Sequence, residues 1–520
     1  MSTHHPTPAE AARFLLQATL GPTPDEIARV VEIGYEAWID EQFELPPSIA
    51  HHEVHVARLA GLHFEVHHAW WRQVLNAPDA LRHRLAVALS EIFVISEVAI
   101  EFVAWEFTEY YDDLGRMAFG NWRDLLRAVT LDPLMGYYLT YLRNRKADPA
   151  QQRFPDENYA REVMQLFSIG LWELNPDGTH KLDAQGREIP TYDNREIMEF
   201  ARVFTGLSFG GPTADPKKPE DFFNAPLNYS VAMEMWEDQH DRGEKVLLRG
   251  KRLPAFDQAP GRKGMDDIDD AVTNLFEHPN VGPFFGRLLI QRLVSSNPTP
   301  AYIARVAAAF ADNGRGVRGD MRAVIKAILL DPEARTVAPI GPLSGRLREP
   351  YLRYVALARS FRARSEAGTY KSHDHEVLLA MNQIVMNSPS VFNFFLPDYQ
   401  QPGKIAEAGL YAPEFQIMTS TTAITSANVL TGTVATGFGD FSDGPDRLRL
   451  DLSEETKLAD RPDELIELLD AKLTGGLLGA ETKRILRTAW AEMPAEYTAE
   501  QRVQALMQLI VLAPDCAVTQ

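Results

Sequence analysis

Short apolar stretches with helical spacing, each bounded by Thr, Pro or Gly, recur along most of this chain and restrict it to a fold of many short helices. The first stretch, AEAARFLLQATL, follows a PTP string at residues 6–8 and ends at Gly21. The next, DEIARVVEI, follows Thr23 and ends at Gly34. Thr before Pro is a typical helix start, and Gly is a typical helix end. The sequence therefore predicts a mainly α, multi-helix globular fold.

Two segments interrupt the helical pattern. Residues 171–193 contain NPDG and AQG between short alternating runs, which predicts a small β-hairpin inserted between helices. Residues 207–262 are rich in Gly, Pro and charge and predict a long irregular excursion. We expect a main helical domain over 1–430, a linker over 431–449, and a C-terminal helical segment over 450–520 that packs on the main domain.

The charge balance excludes one class of partner. Lys and Arg total 52 against 72 Asp and Glu, a net charge of −20, so the long-range field repels phosphate backbones and nucleic acid is not an expected partner. No stretch approaches the roughly 20 apolar residues needed to cross a bilayer, so we expect a soluble chain without a membrane span. The N-terminal residues lack the basic region and apolar core of a secretory signal.

Familiar catalytic motifs are missing from the sequence. Cys516 is the only cysteine, so an intrachain disulfide and a CxxC metal knuckle are excluded. There is no GxSxG elbow, no P-loop and no GxGxxG after a strand, so a serine hydrolase or nucleotide enzyme is not expected. The sequence predicts no cofactor.

The densest polar cluster lies in PDENYAREVMQ, with Asp156, Glu157, Asn158, Arg161 and Glu162. On a helix Glu157 and Arg161 are i,i+4 neighbours, and a second carboxylate in a drier setting would keep a proton for acid/base work. The alternative is structural: Asp156 caps the helix and the other charges form a salt-bridged face.

A second candidate lies in the irregular excursion, where WEDQHDRGEKVLL contains His240, Asp241 and Lys245. An imidazole beside a carboxylate is a possible oriented general base. The alternative is a solvent-exposed histidine on a turn. The functional hypothesis requires His240 to share one cleft with Glu157, Arg161 and Glu162, and Lys245 to bind there.

Two further segments are candidate binding sites. His278 and Asn280 precede a helix, where the N-terminus and an imidazole suit an anionic group, although Asn280 with Pro283 is also a typical helix start. Asn393 and Tyr399, in SPSVFNFFLPDYQ, combine aromatic, amide and hydroxyl groups suited to stacking on a sugar ring. The phenylalanines of that string are expected in the core.

Six histidines cluster near the N-terminus and raise the hypothesis of a metalloprotein: His51, His52, His55, His63, His67 and His68. Two i,i+4 pairs occur among them, but no carboxylate follows at a zinc-motif spacing, so no metal ligand is assigned. Glu91 lies in an apolar helix, and we expect it to be buried and paired.

The order of motifs resembles the domain of unknown function 1800 family. AARFLLQATLGPT, PDENYAREVMQLFSIGLWELNPDG, HPNVGPFFGRLLIQRLV, RAVIKAILLDPEAR, SPSVFNFFLPDYQ and LIVLAPD carry the resemblance over about residues 9–515. It implies a helical fold of undetermined biochemistry, commonly exported by bacteria and encoded beside a sulfatase-like family, domain of unknown function 1501. Many relatives carry a Trp-His-x-His string where this chain has Ser90 and Glu91, so a metal role there is not carried over.

Three functions remain open at this stage. The favoured hypothesis is an acid/base enzyme acting on an uncharged or cationic polymer, with a polysaccharide as the expected substrate. The second is a non-catalytic helical scaffold that binds a partner, for which the sulfatase-like protein is the candidate. The third is a histidine-site metalloprotein. The resemblance favours the cell envelope, while the sequence does not determine the compartment or the oligomeric state.

Overall fold

The computed structural model describes residues 5–48, 63–100, 106–211, 220–337, 345–370, 375–439 and 444–519. Three of the clustered histidines, His51, His52 and His55, lie outside these ranges. The side chains of the other three also fall outside the description. The histidine-pair hypothesis therefore stays a prediction.

The described chain is mainly α-helical, as predicted. Its α-helices are α1 (Pro8–Ala18), α2 (Pro24–Ile33), α3 (Tyr35–Glu44), α4 (His63–Asn76), α5 (Ala80–Ser90), α6 (Glu106–Met117), α7 (Trp122–Leu131), α8 (Pro133–Tyr138), α9 (Asn158–Gln165), α10 (Asn194–Val203), α11 (Asp221–Asn224), α12 (Gly264–Phe276), α13 (Val281–Leu293), α14 (Pro300–Ala311), α15 (Met321–Leu329), α16 (Pro332–Arg335), α17 (Pro350–Ser360), α18 (His375–Ala380), α19 (Lys404–Glu407), α20 (Ser420–Thr436), α21 (Ser453–Thr456), α22 (Pro462–Thr474), α23 (Ala480–Glu492), α24 (Ala499–Leu512) and α25 (Pro514–Ala517). Short 3-10 turns cover Glu97–Ala99, Pro149–Gln151, Leu248–Gly250 and Pro413–Gln416. None of these helices has the length and hydropathy needed to cross a membrane.

In the described ranges the regular strands form three antiparallel pairs, and each strand is two residues long. They are β1 (Leu207–Ser208) with β2 (Glu234–Met235), β3 (Lys245–Val246) with β4 (Arg252–Leu253), and β5 (Arg346–Leu347) with β6 (Val518–Thr519). The first two pairs and the four-residue helix α11 lie within the predicted irregular excursion, which therefore contains short pieces of ordered structure.

The local sequence explains the first helices. Thr7 and Thr23 each cap a helix with the side-chain hydroxyl, and Glu10 and Glu26 complete the two capping boxes. Gly34 ends α2 with φ +82°, a backbone conformation that residues other than glycine rarely adopt.

The chain divides into two compact units, each discontinuous in sequence. Unit 1 comprises Met1–Ala88, Ile290–Pro298 and Ile328–Gln520, and unit 2 comprises Leu89–Leu289 and Thr299–Ala327. These boundaries differ from the predicted division at residue 430. Within unit 1 the helix α20 runs through the start of the predicted linker and packs against α24.

The insertion at 171–193 is more elaborate than a single hairpin. Two tight turns produce three extended segments, joined by single bridges between Trp172 and Pro190, Leu174 and His180, and Leu182 and Glu188. At its middle level the backbone amide of Glu173 donates to Ile189, that of Ile189 to Lys181, and that of Lys181 to Glu173, at 2.7, 3.2 and 2.7 Å. Each segment therefore donates to one neighbour and accepts from the other.

Stacked aromatic rings fix helix α9 in the core of unit 2. The rings of Tyr141 and Tyr159 are stacked at 4.1 Å between centroids, and both side chains are fully buried. The Tyr159 hydroxyl lies 2.8 Å from the Thr130 hydroxyl, and the Tyr141 hydroxyl donates to the Thr130 carbonyl at 2.7 Å. These contacts fix the rotation of α9 and thereby the direction of its polar face.

Candidate functional site

The predicted polar cluster lies at the start of α9 and along one of its faces. The backbone amide of Asn158 donates to the Asp156 carboxylate at 2.8 Å, while the N-cap position is occupied by Glu157, which makes no side-chain capping bond. Glu157 and Asn158 are exposed. The Arg161 guanidinium lies 3.6 Å from the Glu157 carboxylate, and these side chains are 43% and 45% exposed. Glu157 and Arg161 therefore form the predicted i,i+4 pair at the surface.

Glu162 lies in a different environment from Glu157. It is only 7% exposed, and its Oε2 atom has no hydrogen-bond partner among the described residues. Burial raises the pKa of the Glu162 carboxyl above its ordinary value, although the positive charge of Arg161 opposes the shift. The two glutamates of this helix thus differ in exposure and partners.

Two half-buried tyrosines are electrostatically coupled to Glu162. The pKa of Tyr138 is raised to about 12, mainly by burial and to a smaller extent by the negative charge of the Glu162 carboxylate. The same two causes raise the pKa of Tyr192 to about 12, and Arg161 opposes the shift. The Tyr192 hydroxyl, like Glu162 Oε2, has no hydrogen-bond partner among the described residues. Buried polar atoms without partners are uncommon in proteins and often indicate a site that contacts water or a ligand.

The loop before α9 is strained. Thr140, Arg143 and Gln152 adopt positive φ angles of 62°, 62° and 52°. The Asn144 side chain is 9% exposed and accepts a hydrogen bond from the Asp156 amide at 3.0 Å. Its amide nitrogen has no partner among the described residues. Backbone strain of this kind costs roughly 1–3 kcal/mol at each residue and concentrates at functional sites.

Exposed aromatic side chains occur in the segments that flank these groups. Tyr137 precedes Tyr138, Phe154 precedes the start of α9, and Trp172 opens the β insertion. They are 50%, 71% and 36% exposed. The insertion begins at Leu171, beyond the turn that follows α9, and returns at Thr191, whose amide donates to the Leu171 carbonyl at 3.0 Å. Tyr192 therefore follows the closed base of the insertion.

The expectation of an exposed or cleft-lining His240 is wrong, because this side chain is fully buried. Its Nδ1 atom lies 2.8 Å from the Thr205 carbonyl oxygen, and its Nε2 atom lies 3.2 Å from Asp267 Oδ2. Both ring nitrogens face oxygen acceptors within the protein. No hydrogen bond or ion pair joins His240 to Glu157, Arg161 or Glu162 in the described residues.

Lys245 belongs to the same buried cluster. Its ammonium group contacts Asp267 Oδ2 at 2.7 Å and donates to the Gly243 carbonyl at 3.1 Å. Arg262 contacts the other oxygen of Asp267 at 2.6 Å. Burial raises the pKa of the Asp267 carboxyl, but His240 and Lys245 outweigh that effect and hold the pKa below its ordinary value. The cluster stabilises the excursion from inside and does not contact solvent at Lys245.

His278 and Asn280 are buried at the base of the β insertion. The Asn280 amide nitrogen donates to the carbonyls of Ile169 and Trp172 at 2.9 and 2.8 Å, and its oxygen accepts from the Leu174 amide at 3.0 Å. Asn280 therefore ties the insertion to the start of α13.

The His278 imidazole is too buried to receive an anion from solvent. It is 1% exposed, and its Nδ1 atom accepts from the Asn280 amide at 3.2 Å. Burial lowers the pKa of His278 to about 4, while the carboxylate of Glu173, 3.5 Å from Nε2, opposes the shift. The imidazole is therefore neutral near pH 7.

Asn393 and Tyr399 belong to unit 1, whereas the other candidates belong to unit 2. Asn393 is 6% exposed and has a positive φ of 64°. The Tyr399 hydroxyl donates to Gln401 at 3.0 Å. Of the neighbouring phenylalanines, Phe395 is buried as expected and Phe392 is exposed. A sugar-binding role for Asn393 and Tyr399 stays a prediction.

Several groups at this site were not found from the sequence. Tyr138, Tyr192 and Asn144 are separated from α9 by turns or by the β insertion, and no local pattern connects them to Glu162. No group of three metal-ligating side chains lies together in the part of the chain that the structure describes. Glu91 is buried, as expected.

Comparison with known proteins identifies the family. The model of the family described as "Protein of unknown function (DUF1800)" matches residues 13–518. The chain therefore belongs to the DUF1800 family, as its motifs indicated. Neither the search of curated proteins nor the search of solved structures found a match.

Proposed function

We propose that this protein is an acid/base enzyme that cleaves a polysaccharide or a similar polymer, with Glu162 as the proton donor. The observation that carries the proposal is the Glu162 carboxyl itself, which is buried, has a raised pKa and has one oxygen without a partner among the described residues. A carboxyl group of this kind keeps its proton to higher pH and can give it to a leaving oxygen.

Glu157 is the second carboxyl group in the proposal. Glycoside cleavage uses two carboxyl groups in different environments, one protonated and one ionised. Glu157 is the carboxyl group at the surface, 3.6 Å from the Arg161 guanidinium. In the proposed reaction Glu162 protonates the leaving oxygen as the glycosidic bond breaks, and Glu157 takes a proton from the attacking water.

The surroundings favour a sugar polymer over other substrates. The side chains of Tyr137, Phe154 and Trp172 are exposed, and aromatic rings bind the apolar faces of sugars. The net charge of −20 disfavours polyanions, so the proposed substrate is uncharged or cationic. His240 and Lys245 are left out of the mechanism because both are fully buried.

The activity test uses matched variants. The protein is incubated with a panel of neutral and amino polysaccharides, and new reducing ends are measured. We expect release from at least one polymer, and Glu162→Gln should lower kcat by about 100-fold or more because it removes the donated proton. Glu492→Gln, at an exposed carboxylate in unit 1, is the control and should leave the rate unchanged.

A second test does not require the substrate. Carbon-13 NMR of the glutamate carboxyl groups, assigned by the loss of one signal in Glu162→Gln, reports the pKa of Glu162. A value above that of free glutamate is expected. An ordinary value, or the absence of cleavage across the whole panel, would overturn the proposal and favour a scaffold that binds a partner such as the sulfatase-like protein.

A further inference from the structure

A short extended segment of unit 1 places charged side chains on one face. Leu448 is fully buried, whereas Arg447, Arg449 and Asp451 line a surface cavity together with Leu450 and Leu452. The Arg447 guanidinium is anchored by the Thr436 hydroxyl at 3.1 Å, and that of Arg449 by the Thr436 carbonyl at 2.8 Å.

A second arginine lies directly opposite Arg449. The backbone amide of Arg364 donates to the Arg449 carbonyl at 3.0 Å, and the amide of Arg449 donates to the Arg364 carbonyl at 2.9 Å. Residues paired in this way project their side chains from the same face, and like charges directly opposite each other are unfavourable. Asp451 offsets part of the repulsion between the two arginines, because its carboxylate lies 2.9 Å from the Arg364 guanidinium.

The cavity has the size of a small-molecule site. Its volume is about 360 Å³, and its lining combines polar side chains with Leu450 and Leu452. Glu366 and Glu500 add two exposed carboxylates, and Ser453 and Thr456 add hydroxyl groups. Carboxylates beside arginines disfavour a ligand of high negative charge, but they can accept hydrogen bonds from ligand hydroxyl groups.

We propose that this cavity binds a small hydroxylated monocarboxylate of the sugar-acid type. Arg364 and Arg449 bind the ligand carboxylate, because a planar guanidinium can donate two parallel hydrogen bonds to a carboxylate. Arg447 adds positive charge beside them. The hydroxyl groups of the ligand form hydrogen bonds with Glu366, Glu500 and the hydroxyl groups of Ser453 and Thr456. The site belongs to unit 1 and does not depend on the function proposed for Glu162.

Isothermal titration calorimetry on the full chain tests the site with four probes: glucuronate, glucose 6-phosphate, inorganic phosphate and glucose. Glucuronate should bind most tightly, and glucose should not bind at the same concentrations. Arg449→Gln should weaken glucuronate binding by at least tenfold. Arg484→Gln removes a guanidinium that is 64% exposed and paired with Glu481, so it is the matched control and should not change the affinity.

A second variant separates lost binding from misfolding. Glu500→Gln keeps the arginines and should weaken glucuronate binding, because it removes a charged acceptor for a ligand hydroxyl group, but it should not weaken the binding of inorganic phosphate. Tighter binding of glucose 6-phosphate or phosphate than of glucuronate would overturn the choice of a monocarboxylate. Equal affinity in wild type and Arg449→Gln, or no heat with any probe at millimolar concentration, would overturn the site.

Discussion

The Lys245 ammonium group lies 2.7 Å from the Asp267 carboxylate, and both side chains are fully buried. His240 and Arg262 contact the same carboxylate. Removing one member of a buried cluster leaves the opposite charge without compensation, which costs more than the intact pair contributes. The role of His240 and Lys245 in unit 2 is therefore measurable as stability.

Lys245→Met should lower the free energy of unfolding by about 3 kcal/mol or more, because it leaves Asp267 buried with fewer partners. Urea denaturation followed by circular dichroism measures the change. Lys251→Met, at an exposed lysine of the same excursion, is the control and should change stability by less than about 0.5 kcal/mol. A loss below about 1 kcal/mol for Lys245→Met would contradict the structural role.

The buried carboxyl group of Asp132 should make the free energy of unfolding depend on pH. Burial raises its pKa to about 7, although its carboxylate accepts the amides of Leu134 and Met135. Between about pH 4 and the folded pKa, the folded state binds a proton that the unfolded state has released. The contribution of Asp132 to the unfolding free energy is therefore complete below pH 4 and is lost as the pH rises towards 7.

Asp132→Asn keeps the cap and removes this titration, so its stability relative to wild type should increase from pH 4 to pH 7, by at most about 4 kcal/mol. Chemical denaturation at several pH values measures the difference. Asp193→Asn is the contrasting variant: hydrogen bonds from Arg195 lower the pKa of this exposed capping carboxylate. It should not reproduce the trend. Parallel pH profiles for Asp132→Asn and wild type would refute the prediction.

Asn280→Ala should destabilise the β insertion locally as well as the whole of unit 2. The substitution removes three hydrogen bonds between the Asn280 side chain and the backbone and leaves buried backbone groups unpaired, at a cost of about 3 kcal/mol. Hydrogen exchange of residues 171–191 should become faster than in wild type. Asn175→Ala, which removes an exposed bond to Thr179 in the same insertion, should have a small effect. Unchanged exchange in Asn280→Ala would show that the asparagine does not anchor the insertion.

Two Tyr→Phe variants should have opposite effects. The Tyr192 hydroxyl is buried without a hydrogen-bond partner among the described residues, so Tyr192→Phe should be neutral or stabilising by up to about 1 kcal/mol. Tyr141→Phe removes a buried bond to the Thr130 carbonyl and should destabilise by about 1 kcal/mol. Urea denaturation compares them. A clear loss of stability in Tyr192→Phe would mean that its hydroxyl has a structural partner.

Local features were predictable from the sequence, whereas long-range ones were not. The caps at Thr7 and Thr23 depend on residues three positions away, and the polar face of α9 depends on helical spacing. Asn280 was expected either to help bind an anionic group or to start the helix that follows it, yet its side chain binds the backbone of Ile169, more than 100 residues away. No periodic pattern contains that contact.

The environment of the candidate site depends on the same kind of contact. His240 follows a polar loop sequence, which does not predict its burial. In the structure its ring contacts Thr205 and Asp267, which are distant in the sequence. Glu162 was recognised as a candidate, but its burial results from tertiary packing around α9. A sequence pattern gives the spacing of polar groups on a helix and not the depth at which each one lies.

The cyclic hydrogen bonds among Glu173, Lys181 and Ile189 have a consequence for association. A β-hairpin leaves unpaired backbone groups along its outer strands, and another chain can extend the sheet there. At the level of these three residues, each amide and each carbonyl already has a partner within the insertion. At this level the insertion can therefore present its side chains at the surface without offering an edge to which a strand of another molecule could add.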